Sequence, residues 1–382
     1  MRRTTSLVLM LVGTLSSERV LAQEPAQRSP TPSSTSGVVR AETVASGLEH
    51  PWGLAFLPDG RMLVTERPGR LRVVSTGGQL SEPLAGVPEV AARGQGGLLD
   101  VAVDPAFGEN RYVYLTFSEP GENGTAGTAV ARGQLADGRL EDTEVIYRQT
   151  PKVRSGSHFG SRIVFRGDGT MFVTAGDRGN QRPLVQDLTT GVGKIVRIGT
   201  DGSIPRDNPF VGREDAVAAI WSYGHRNLQG ATLHPETGQL WTVEHGARGG
   251  DELNHPEAGK NYGWPVITYG VDYSGAKIGE GTAKAGMEQP VYYWDPVIAP
   301  SGLTFYTGNR YPGWTGSLLV GSMSPGALVR LVMENGRVTR EERYLGDLGE
   351  RIRDVVQGPD GYVYVLTDSP RGRVLRVEPA AQ

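Results

Sequence analysis

Apolar positions along this chain come in short runs, joined in pairs by turns that carry Gly, Asp or Pro. The unit reads as apolar run, tight turn, second apolar run, then a polar loop. It recurs as LAFLPDGRMLVTE (54–66), VAVDPAFGENRYVYLTF (101–117), IVFRGDGTMFVTAGD (163–177), ATLHPETGQLWTVEH (231–245), LTFYTGNRYPGWTGSLLVGS (303–322) and DVVQGPDGYVYVLTD (354–368). The runs are rich in Val, Tyr, Phe and Thr, which favour strands. Turns such as Pro58-Asp59-Gly60, Gly167-Asp168-Gly169 and Pro359-Asp360-Gly361 are hairpin signals, because glycine takes the positive φ that tight hairpins need. Further short strands follow most copies: GRLRVV (69–74), GKIVRI (193–198), ALVRLV (327–332) and GRVLRV (372–377). No helix of ordinary length is signalled.

Six copies of a hairpin-plus-strand unit predict an all-β chain, a six-bladed β-propeller of four-stranded antiparallel blades. Radial repetition of small sheets leaves only short, protected edges. Spread over residues 38–382, six blades take a little under about 60 residues each, above the roughly 40–50 of common propeller repeats, with the excess in loops. A β-sandwich or parallel β-helix is the structural alternative. A closed ring needs a latch, and the strand-like VVRAETV (38–44) is placed to pair with the last blade.

Composition agrees with many tight turns: of 382 residues, 54 are Gly and 25 are Pro. A formal net charge of -3 argues against a general nucleic-acid binder. No cysteine is present, so disulfides play no part. The first residues have the form of an export signal. A basic pair, Arg2 and Arg3, precedes a short apolar run (7–15) and a small-residue cleavage motif ending at Ala22. Residues 1–22 are therefore expected to be a signal peptide, 23–37 a disordered Pro/Ser/Thr-rich tether, and 38–382 the propeller domain. No later apolar run is long enough to span a membrane. The expected mature protein is soluble and periplasmic, a monomer or homodimer.

Polar residues gather where propeller loops converge. The stretch 221–254, WSYGHRNLQGATLHPETGQLWTVEHGARGGDELN, sets costly groups beside glycine at both ends of one strand pair. His158, in SGSHFGSR (155–162), is one of six histidines. It reads either as a general base, with Asp177 holding its tautomer, or as a surface histidine beside a turn-capping aspartate. Arg226-Asn227, Arg351 and Arg353 read as an anion cradle or as solvated cations. Residues 246–252 are rich in glycine, with two adjacent carboxylates. That suits a hard oxygen-liganded cation such as calcium, or an acidic turn. There is no Gly-x-Ser-x-Gly elbow, Walker loop, His-Glu-x-x-His pair or dinucleotide fingerprint.

These stretches, with HPWGLAFLPDGRMLVTERPGRLRVV (50–74), GQGGLLDVAVDP (94–105), GKNYGWPVITYGVDYSG (259–275), MEQPVYYW (287–294), APSG (299–302) and GERIRDVVQGPDG (349–361), resemble the soluble aldose sugar dehydrogenases that use pyrroloquinoline quinone (PQQ). The resemblance covers nearly all of residues 40–380. It implies PQQ on the propeller axis, His158 as the base that takes the sugar C1 proton, and Asp177 as its orienting carboxylate. Arg226 would stabilise charge on the quinone oxygen. Gln95, Asn227, Tyr273, Arg351 and Arg353 match further cofactor contacts. Ser324 stands where the glucose dehydrogenase branch places a lysine on the cofactor. The carbonyls of Gly246 and Ala247 match ligands of one Ca²⁺, with alanine in place of a proline, and Glu252 with the Tyr262 carbonyl match a second. Long substrate-shaping inserts are absent, which implies a broad aldose range; no particular electron acceptor is implied. Two rival readings carry other chemistry. A non-catalytic carbohydrate- or protein-binding propeller would not need His158, Asp177 and the arginines together. A calcium-dependent lactonase would set carboxylates and asparagines, not arginines, at the channel.

Overall fold

The computed structural model describes residues 25–30, 33–34 and 38–380; the expected signal peptide lies outside them. Six antiparallel sheets follow one another as the blades of a propeller. Their first strands are Pro51–Phe56, Leu98–Val103, Ile163–Phe165, Leu228–Leu233, Pro300–Phe305 and Ile352–Gln357, each touching the next, and the last touching the first. The helices among the described residues are single turns, such as Phe107–Asn110 and Arg182–Val185.

Second strands such as Met62–Glu66, Leu318–Ser322 and Val363–Thr367 are buried along their whole length. Neighbouring blades cover both of their faces, so they open on consecutive apolar residues and show no apolar–polar alternation. Between the first two blades, Leu63, Leu71, Leu98, Val113, Leu115 and Phe117 form one such packed layer. Buried threonines then clip blade to blade. Thr116 Oγ1 donates to the Ser161 carbonyl (2.7 Å), and Thr174 Oγ1 to that of Leu228 (3.3 Å). The clips fix the inner strands, whose upper ends carry the site.

The latch forms as the pattern predicts and runs longer. Val39–Leu48 pairs antiparallel with Gly372–Pro379, completing the sixth blade. Two features differ from the expected plan. The first blade has three strands, and past Val74 an irregular segment covers its edge through a bridge to Leu80. Within the expected tether, Gln27–Arg28 adds parallel to Tyr292–Tyr293 of the fourth blade, and Ser33–Ser34 to Glu342–Arg343 of the fifth. Outer edge strands present unpaired backbone donors and acceptors, and even a polar segment satisfies them. None of the described helices is long and apolar enough to cross a membrane.

Candidate active site

One relation recurs at the top of the propeller. An acidic residue at or just beyond the end of a blade's second strand bonds a group ahead of, or at the start of, that blade's first strand. Glu66 accepts from the Glu49 N–H, Asp177 meets His158, Glu244 meets His225, and Asp368 meets Arg351 and Arg353. These bonds tie the polar loops to the rigid inner strands.

The two histidine versions differ in what is left over. His225 is fully buried and spent: Nδ1 faces Glu244 Oε1 (3.0 Å), Nε2 faces Ser222 Oγ (2.9 Å), and the ring stacks on Tyr262. His158 Nδ1 lies 2.6 Å from Asp177 Oδ1, while its Nε2 has no partner among the described residues. An imidazole held at one nitrogen by a carboxylate and open at the other can accept a proton. Asp177 is buried and anchored by Trp264 Nε1 (2.8 Å) and the Gly179 N–H (2.7 Å). Burial pushes its carboxyl up, but the bond to His158 and the charges of His158 and Arg226 outweigh this and hold its pKa below the ordinary carboxylate value.

His158 takes a left-handed backbone (φ 50°), a conformation that strains most residues and collects at functional sites. Its neighbours enforce it. Gly176 must be glycine, because a Cβ there would sit 2.3 Å from the His158 carbonyl oxygen. Buried Arg178 donates to the carbonyls of Ser157 (2.8 Å) and Ser155 (2.6 Å) and stacks on Phe159. Gln95 Oε1 accepts the His158 N–H (2.8 Å).

Beside this rim lies an axial cavity of about 360 Å³. Its wall includes Gln95, Asn227, Arg351 and Arg353 from the expected set, with Trp52, Arg67, Gln229, His245, Met323 and Asp368 in addition. Desolvation, with the nearby charges of Arg226, His158 and Arg353, pushes His245 down to about 3, so its ring is neutral. Its Nε2 faces the Pro300 carbonyl. The floor is an ion triad in which buried Arg162 bridges Asp100 (3.0 Å) and Asp354 (2.9 Å) and stacks under Trp52. Arginines, amides and an indole face suit a flat polyanion, and the buried Nε atoms of Arg67 and Arg353 have no partner among the described residues. On these grounds the wall fits a planar, carboxylated cofactor such as PQQ.

Tyr273 and Ser324 stand apart from this wall. Tyr273 is 70% exposed, projected by the turn that Asp272 closes with Ser274 and Ala276. Beyond the strand Leu318–Ser322 the chain turns over residues 323–326, where Met323 is buried and lines the cavity while Ser324 is exposed.

A second, far smaller space of about 10 Å³ lies behind Arg226, close to what one water or ion needs. Gly246, Glu252, Tyr262 and Glu244 line it, with buried Ala247 next in the chain. Burial and the neighbouring Glu244 push Glu252 up to about 8. Asn254 Oδ1 is buried without a partner, while its Nδ2 joins both glutamates. Carboxylates and carbonyls enclosed together fit a hard cation. Arg226 also lines this space, and its Nη1 engages the Gly246 carbonyl, a donor that the expected first calcium would use.

A carboxylate-held imidazole thus stands at the rim of a cation-walled axial cavity, on a six-bladed propeller. The glucose/sorbosone dehydrogenase family model matches residues 48–376. The chain belongs to that family of oxidoreductases. It is 49% identical over 346 residues to the aldose sugar dehydrogenase YliI of Escherichia coli (strain K12), covering 89% of this chain and 93% of that protein. A crystal structure of a glucose dehydrogenase superposes with TM-score 0.87 at 50% identity, over 90% of this chain and all of the other. The PQQ-bound aldose sugar dehydrogenase of Streptomyces coelicolor superposes with TM-score 0.74 at 29% identity, over 89% of this chain and 98% of its own.

Proposed function

We propose that this chain oxidises aldoses at C1 to the lactone, with PQQ and Ca²⁺ as cofactors and a broad range of sugars. The observation that carries this reading is the His158–Asp177 pair, open at Nε2, beside an arginine-walled cavity. The family and its PQQ-bound relative support it. When bound, PQQ supplies a two-electron, hydride-accepting quinone that Ca²⁺ polarises. His158 Nε2 takes the C1 hydroxyl proton as the C1 hydride departs. Asp177, already ionised, keeps Nδ1–H donated to itself and stabilises the imidazolium that forms. Arg226, with Asn227, would stabilise charge on the quinone oxygen, and Arg351 and Arg353 would pair with carboxylates of the cofactor. The carbonyls of Gly246 and Ala247 would hold one calcium, and Glu252 with the Tyr262 carbonyl a second. Export to the periplasm belongs to the same proposal.

The test is reconstitution. Purified protein with PQQ and Ca²⁺ is expected to reduce an artificial dye with glucose, galactose, xylose and maltose. No cofactor-dependent dye reduction with any aldose would overturn the reading. Calcium has its own readout. At about 100 times its Kd, Ca²⁺ is expected to stabilise the PQQ-free protein by ~2–3 kcal/mol in thermal melts, and Glu252→Gln to remove most of that gain. Equal stabilisation of the wild type and Glu252→Gln would take Glu252 out of the metal site.

A further inference from the structure

Three guanidiniums share the cavity wall with a single carboxylate. Asp368 accepts from Arg353 Nη2 (2.8 Å) and Arg351 Nε (3.3 Å), and His50 Nδ1 approaches it at 3.4 Å. Arg353 has a further acceptor in Gln229 Oε1 (2.9 Å). Arg67 is placed differently. Its one side-chain bond among the described residues runs from Nη1 to the Gly94 carbonyl (2.9 Å). Among the described residues its buried Nε has no acceptor and it forms no ion pair. Yet it stands close enough that its charge, after those of Arg353 and Arg351, helps hold Asp368 far below the ordinary carboxylate value against the upward push of burial.

A guanidinium is a planar fork of five donors that carries its charge at every ordinary pH. Here the fork lines a cavity with most of its donors unspent, and Asp368, the carboxylate among the described residues lining that cavity, is already shared by two other arginines. The wall is therefore short of negative charge at the first blade, and a ligand carboxylate supplies what is missing. We propose that Arg67 is a ligand-binding residue that grips a carboxylate of the molecule filling the axial cavity and sets that cavity's preference for polycarboxylates. The proposal rests on the PQQ reading above, since PQQ carries three carboxyl groups. A structural role competes with it, because Arg67 also braces the loop that brings Gln95 to His158.

Two probes separate these roles: PQQ, and its trimethyl ester, which keeps the ring and loses the charges. Binding of each is measured by equilibrium dialysis with PQQ-free protein, and thermal melts check that each variant is folded. Arg67→Gln is expected to weaken PQQ about 10- to 100-fold, the range of a charge-assisted hydrogen-bonded pair, and to leave the ester within about 2-fold. Arg67→Lys, which keeps the charge without the fork, is expected to fall between, about 3- to 10-fold weaker for PQQ. PQQ affinity within 2-fold of wild type in both variants would overturn the proposal. Equal weakening of PQQ and ester would also overturn it and leave Arg67 a brace for the Gln95 loop. Failure of the wild type to bind PQQ at all is a different result: it removes the cofactor reading, and this proposal with it.

Discussion

Replacing His158 with alanine is expected to lower turnover about 10²- to 10⁴-fold while the protein still binds PQQ, because general-base catalysis is typically worth that much. The site geometry makes the effect local. His158 contacts Asp177 through Nδ1 and contributes only a backbone N–H to Gln95, so removing the ring leaves the cavity wall intact. Asp177→Asn is expected to act on the same step by a different route. An asparagine can donate to Nδ1, which favours the tautomer with its proton on Nε2, the wrong nitrogen for a base. Steady-state kinetics with dialysis-measured PQQ affinity checks both variants. A His158→Ala enzyme that binds PQQ and turns over at the wild-type rate would remove His158 as the base.

The second large effect is on stability. Arg162→Met is expected to destabilise the protein by ~3–5 kcal/mol in denaturant unfolding, because it strands the buried Asp100 and Asp354 without their shared cation. Both carboxylates also accept backbone N–H groups across blades, from Ile163 and Leu54, so the triad joins several inner strands at the axis. Arg162→Met combined with Asp100→Asn should recover part of the loss. A pH series gives an independent check. Burial, only partly offset by Arg162, pushes Asp100 up to about 6. A carboxyl whose folded pKa is raised binds more protons folded than unfolded, so its contribution to stability falls as pH rises between about 4 and 6. The stability of Asp100→Asn relative to wild type should therefore climb through that window and level off above it. A flat difference would mean that Asp100 does not titrate as described.

The histidines show how far pattern reasoning reaches. Both His158 and His225 lie ahead of a blade's first strand, and both precede an acidic residue at or near the end of the second. That shared spacing was legible in the repeat, and aligning the copies at LVTE, TAGD, TVEH and VLTD would also have picked out Asp368 as a member of the site. What the spacing does not carry is which nitrogen remains open. Ser222 Oγ closes His225 Nε2, and no described group closes that of His158. Arg67 and Trp52 were missed for a related reason. One follows a second strand and the other lies in a first strand of the first blade, and neither residue type nor spacing announces a cavity wall.

By itself, the sequence determined the class of fold, the number of blades, the closing strand and the family, because each rests on local signals: apolar runs, glycine turns and motif stretches repeated along the chain. The tertiary structure alone decided that Met323 and not Ser324 lines the cavity, that Tyr273 stands exposed outside its wall, and that Arg67 has no ion pair among the described residues. It also showed residues 27–28 and 33–34 pairing along the outer edges of two blades. These outcomes depend on side-chain direction and on contacts between blades far apart in the chain. Ring closure brings residues such as Asp100, Arg162 and Asp354 together, and no local pattern along the chain records that meeting.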